Sequence, residues 1–122
     1  VDEEAQAMTA PIPTSVAVGG VTYTVAVDGT HLDQQAIAQG AARGLYGLCE
    51  HYACVITLHP DNSEGRQREV LMHECLHAIT EFTGVATDLG KDKDEAICLR
   101  LAPMLLTVLR QNPKLVAYLL EK

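Results

Sequence analysis

The chain has no tryptophan and a single phenylalanine, and aromatic residues make up only 4% of it. A core without large rings has to be assembled from Leu, Val, Ile and Ala. With 122 residues and 48% hydrophobic content there is apolar material for one domain, but below about 150 residues the core is modest. Stability is expected to be ordinary or low, which leaves room for a bound metal to contribute. Basic residues are also few: nine Lys and Arg, scattered along the chain, stand against sixteen acids, for a formal net charge of -7. Phosphate contacts need clustered basic side chains, so nucleic acid is not an expected partner.

Long apolar runs are missing as well. No segment offers the ~18 uninterrupted apolar residues of a membrane-spanning helix. The opening "VDEEAQAMTAPIPTS" carries acids where a secretory signal carries positive charge and then an apolar run. A cytoplasmic protein with no membrane partner is the expectation. Val1 is not an initiator, so the residues before Met8 read as an added or trimmed terminus. Cys49, Cys54, Cys75 and Cys98 lack C-x-x-C spacing, which rules out a zinc ribbon and favours reduced thiols. Cys49 and Cys54 flank a turn and are the one pair for which a disulfide is geometrically conceivable. There is no internal repeat.

Residues 1–19 are rich in Pro, Ala, Ser and Thr and end in Gly-Gly, the composition of a flexible leader, so a single domain is expected over 20–122. "VTYTVAVD" alternates and is β-branched, a strand ended by Asp28-Gly29. "DQQAIAQGAARG" (33–44) reads as a short helix weakened by Gly40. "LYGLC" (45–49) and "ACVITL" (53–58) form a hairpin. After the Pro60 to Ser63 breaker, Glu64 to Phe82 is one helix stopped by Gly84. Val85 to Lys91 is a loop. A second helix through "AICLRLAPMLLTVLR" is expected to kink or break near Ala102 because of Pro103. Asn112-Pro113 caps and starts a third, "KLVAYLL". The fold class is α+β: a small, mainly antiparallel three-stranded sheet packed on a central helix, followed by two further helices.

That central helix carries "VLMHECLHAITEFTG", in which His73, Glu74 and His77 spell H-E-x-x-H. Residues four apart stack on one helix face, so His73 and His77 can aim imidazoles at one ion while Cys75 and Leu76 turn away. Two zinc ligands are thereby preset. Glu74, beside them, is placed to act as general base toward water on the metal. A metzincin would supply a third histidine six residues after His77, where the chain has Thr83, so that class is excluded. Glu81 lies a further turn along, ~5.4 Å of rise away, too far for a straight helix to wrap one ion. The third ligand is therefore expected from the next helix, with Glu95 first, Asp94 second and Asp88 behind; Asp92 and its neighbours also suit a helix N-terminus. Tyr46, Tyr52 and His51 on or beside the hairpin are weaker candidates for oxyanion stabilisation, and His31 and His59 read as solvated turn residues.

The run "HECLH" followed by "DEAICLRLA" resembles the ImmA/IrrE-like metallopeptidases of phages and mobile elements, in which the motif helix is followed by a glutamate, a small residue three positions on, then an apolar residue and alanine. Glu95, Cys98, Leu101 and Ala102 fall on that pattern, and the resemblance covers about residues 20–118. Pro103 departs from it. The resemblance implies a minimal gluzincin (zincin-like) fold, with His73, His77 and Glu95 binding Zn²⁺, Glu74 activating water, and the 45–49 strand offering its edge to an extended peptide or protein substrate. The function expected is a zinc metallopeptidase. The alternative is a non-catalytic domain in which zinc stabilises the fold or a binding surface.

Overall fold

The computed structural model describes residues 10–122. It is an α+β structure in which four strands and five helices follow one another along the described chain: β1 Ser15–Val18, β2 Val21–Val27, α1 Gly29–Gln39, β3 Gly47–Glu50, β4 Val55–Leu58, α2 Glu64–Thr83, α3 Val85–Leu89, α4 Lys91–Gln111 and α5 Pro113–Leu120.

The sheet has the order β1-β2-β4-β3. The expected three-stranded, mainly antiparallel sheet is corrected here: it has four strands and is mixed. Two physical causes account for the difference. Ser15–Val18, within the stretch read as leader, pairs antiparallel with β2 from Ser15↔Thr24 to Val18↔Val21. α1 then carries the chain across before β3, so the β3–β4 hairpin delivers β4 alongside β2 in parallel, Thr24 against Val55 through Val27 against Leu58. β4 is consequently central and buried, with Ile56, Thr57 and Leu58 all closed off from solvent. β3 pairs only with β4 and forms the sheet edge, as expected for the 45–49 strand.

Local chemistry sets the helix ends. Asp28 accepts a hydrogen bond from the His31 backbone N–H and starts α1 four residues before the expected Asp33, while Gly40, at φ 71°, terminates it. Ser63 caps α2 through the Arg66 N–H, and Gly84 at φ 84° stops it, close to where the sequence places both ends. The 85–91 stretch expected as a loop contains the short helix α3. α4 runs as one helix through Pro103, so the chain does not break there. Cys98 and Ala102 are buried beneath it, and Pro103 itself is exposed and lines an open cleft. Asn112 makes no side-chain cap at α5; its Nδ2 instead donates to the Val108 carbonyl and closes the end of α4.

α2 lies between the sheet and α4 and packs against both. The core is Tyr23, Val25, Ile56, Leu58, Val70 and Ala78, with Cys49, Cys54, Leu71 and Cys75 at its margin. All four cysteines are free. No helix among the described residues is long and apolar enough to cross a membrane.

Candidate metal centre

His73 and His77 project from one face of α2, one turn apart, toward the first turn of α4. Their Nε2 atoms lie 3.0 Å apart, with ring centroids at 4.8 Å. Glu95 meets both: Oε1 is 2.8 Å from His73 Nε2 and Oε2 is 3.1 Å from His77 Nε2. Two nitrogens bound to one tetrahedral zinc at ~2.0–2.1 Å sit about 3.3 Å apart. The three side chains therefore converge at close to the spacing a shared zinc ion requires, and their donor set of two imidazoles and a carboxylate suits that ion. Hydrogen bonds from His73 and His77 hold the Glu95 carboxyl well below the usual carboxylate range. Burial lowers the His77 imidazole, but the Glu95 and Asp94 hydrogen bonds outweigh it and lift the ring to about 9.

Asp94, the second-choice ligand, meets His77 through the other ring nitrogen, and with His77 and Cys98 it forms a second group that could hold a metal. Its Oδ2 lies 2.8 Å from His77 Nδ1, on the side of the ring facing away from Glu95, and it is buried. With Nδ1–H donating to Asp94, the Nε2 lone pair is left for a metal, and the ring plane is fixed. Cys98 Sγ, 3.8 Å from Asp94 Oδ1, completes the packing around this carboxylate. The sequence offered Asp94 as an alternative ligand beside Glu95 and gave no signal for its contact with His77 Nδ1.

Glu74 is only 6% exposed, and its carboxylate comes within 4.8 Å of the ligand atoms of both histidines. Burial, partly offset by His73 and His77, pushes its carboxyl up to about 7. Gly47 of β3 crosses directly above: a Cβ there would stand 3.2 Å from Glu74 Oε2 and 2.5 Å from Val70 Cγ1. Only glycine lets the edge strand approach this closely.

A cleft of ≈ 770 Å³ opens over this cluster, with the β3 edge at Gly47, Leu48 and Cys49 as one wall and α4 at Leu99 and Pro103 as the other. Glu81 lines its far end, one turn beyond His77 and 4.0 Å from His51 Nε2, outside the converging set. His51 is also in the cleft, its Nδ1 3.1 Å from the Tyr23 hydroxyl, a contact with no sequence signal. Tyr46 lines the cleft under the Arg66 guanidinium, which lies 4.9 Å from its ring centroid. Tyr52 is fully exposed at the hairpin turn and away from the cleft, and Asp88 is exposed on α3 away from it too. His31 and His59, expected to be solvated, are instead paired, with Glu50 at 2.7 Å and with Asp33 at 3.1 Å.

Comparison of the chain with protein-family models, with characterised proteins and with solved structures gives no match.

Proposed function

We propose that the protein is a zinc-dependent metallopeptidase of the ImmA/IrrE-like kind, with His73, His77 and Glu95 holding the metal and Glu74 as general base. The observation that carries this reading is the convergence of the two histidine Nε2 atoms, 3.0 Å apart, on the Glu95 carboxylate, whose oxygens lie 2.8 Å from His73 and 3.1 Å from His77, beneath an open cleft. A zinc ion bound there supplies a Lewis acid for a carbonyl oxygen and lowers the pKa of its water to roughly 7.

The chain's own groups do the rest. Glu74, buried and with a carboxyl near 7, is matched to taking a proton from the attacking water and passing it to the leaving amine at neutral pH. Asp94 keeps the His77 ring aimed through Nδ1. The β3 edge offers backbone donors and acceptors that align an extended peptide along the cleft, with Gly47 letting the edge strand itself lie close over Glu74.

The cleft also favours catalysis over a purely structural zinc. A structural site is closed by four protein ligands, whereas a catalytic one keeps a position open. The deciding experiment is hydrolysis of a degenerate peptide mixture, followed by mass spectrometry, for zinc-loaded wild type and Glu74→Gln. Cleavage by wild type that falls ~10²–10⁴-fold in the variant is expected. Equal products from both, or none from wild type, would overturn the reading.

A further inference from the structure

We infer that the main-chain carbonyl of Leu99, freed by Pro103, is a substrate-positioning acceptor in the cleft wall and takes a backbone N–H of the extended peptide. It rests on the peptidase reading above, which puts such a peptide in the cleft. In a regular α-helix each carbonyl accepts from the N–H four residues further on. Pro103 has no N–H, and it stands inside α4, which continues as one helix to Gln111. The carbonyl four residues before it, that of Leu99, therefore lacks its helical partner. Among the described residues, no backbone group outside the helix donates to it. A main-chain carbonyl left in this way takes its donor from water or from a ligand.

Its place in the fold gives this acceptor a use. Glu95, Leu99 and Pro103 follow one another at four-residue intervals, so they share one face of α4, and all three line the cleft. Leu99 is 61% exposed and Pro103 is exposed as well, so solvent or a ligand reaches this face. One turn separates Leu99 from the proposed ligand Glu95, ~6 Å of rise along the axis. An extended chain advances ~3.3 Å per residue, so the acceptor meets a bound peptide about two residues from the bond held at the metal.

The opposite wall explains which group it takes. β3 pairs only with β4, so its free edge faces the cleft at Gly47, Leu48 and Cys49. A peptide laid along that edge pairs through alternate residues, and the N–H and C=O groups of the residues between point the other way, toward α4. A helix wall ordinarily meets such groups with side chains alone, because its own main chain is already paired. Beyond Glu95 the α4 side chains that line the cleft are Leu99, Ala102 and Pro103, all apolar. The carbonyl freed by Pro103 supplies an acceptor on that stretch of wall, and it accepts only from an N–H.

The test pairs Pro103→Ala, which restores the helical N–H, with peptides in which single backbone N–H groups are replaced by ester oxygen. The probe is a capped peptide selected from a degenerate mixture for tightest binding to full-length Glu74→Gln protein after zinc loading. Its affinity is read by calorimetry with and without Pro103→Ala. Alanine suits a helix interior far better than proline, so the Pro103→Ala protein should melt higher, and a loss of affinity is not a loss of fold. With Pro103 present, the ester at one position facing α4 is expected to weaken binding roughly 3–10-fold, as for one hydrogen bond. With Pro103→Ala the amide and that ester should bind alike. Were the proline ring only an apolar contact, Pro103→Ala would weaken every peptide by the same factor and leave each ester effect in place. That result would overturn the inference, and so would a folded, zinc-loaded protein that binds no peptide. Wild type that binds peptide with the expected ester effect but does not cut it would count against the peptidase reading and leave the positioning role standing.

Discussion

At the scale of single residues, the cluster works through a division of labour among four carboxyl groups that sequence chemistry alone treats as alike. Glu95 is ionised and paired, Asp94 is buried behind a histidine, Glu74 is buried with its carboxyl near 7, and Glu81 stands one turn away. Asp94→Ala should therefore leave the ligand set intact and weaken zinc binding about 10–100-fold, because His77 loses the partner that orients it. Competition titration with a chromophoric chelator measures this, and unchanged affinity would mean that the contact has no role. Cys49 gives a pH prediction away from the ligands. Burial first, and then the Glu74 carboxylate, lift its thiol from 9.0 to about 12. Below pH ~9 the thiol is protonated in both folded and unfolded chains and stability is unaffected. Above it the unfolded chain loses the proton first, so stability falls as pH rises toward 12. Urea unfolding across this range should show a shallower alkaline decline for Cys49→Ala than for wild type, and identical slopes would count against it. The motif residues were legible because helix geometry is local: four-residue spacing places His73 and His77 side by side whatever the fold. Gly47 above Glu74 and Tyr23 against His51 were not legible, since their meaning arises only when distant segments touch.

At the scale of elements, β3 and α2 must approach until the edge strand almost rests on Glu74. Gly47→Ala places a Cβ 2.5 Å from Val70 Cγ1 and should cost about 1–3 kcal/mol by overpacking, read as a lowered melting temperature. An unchanged melting temperature would show that β3 can shift outward without penalty. Helix α2 was readable to within a residue because Ser63 and Gly84 are local stop signals that act through their own backbones. β1 was not readable. Its four residues, Ser-Val-Ala-Val, follow a proline-rich stretch, and their strand conformation depends on hydrogen bonding to β2, which no local propensity encodes. The parallel β2–β4 pairing is likewise a consequence of where α1 returns the chain. Pro103 shows the reverse case, a strong local breaker overruled by the packing of Cys98 and Ala102 beneath it.

At the scale of the whole molecule, the core is small and aliphatic, and the proposed metal would bridge α2 and α4 with a mechanical as well as a chemical role. The proposed ligands come from both helices, so an ion bound to them would tie together the two longest elements of the structure. Stripping the metal with a chelator should lower the melting temperature, and restoring zinc at ~1,000-fold over its dissociation constant should return about 4 kcal/mol. A transition indifferent to chelator and zinc would remove the metal from the account of stability. The central claim is narrower: these three side chains bind one zinc. Metal content by mass spectrometry, run on purified wild type, Glu74→Gln and Glu95→Ala after equal zinc loading, tests it most directly. The account predicts near one zinc per chain in wild type and Glu74→Gln and a strong loss in Glu95→Ala. Wild type without zinc, or Glu95→Ala retaining the full amount, would contradict it.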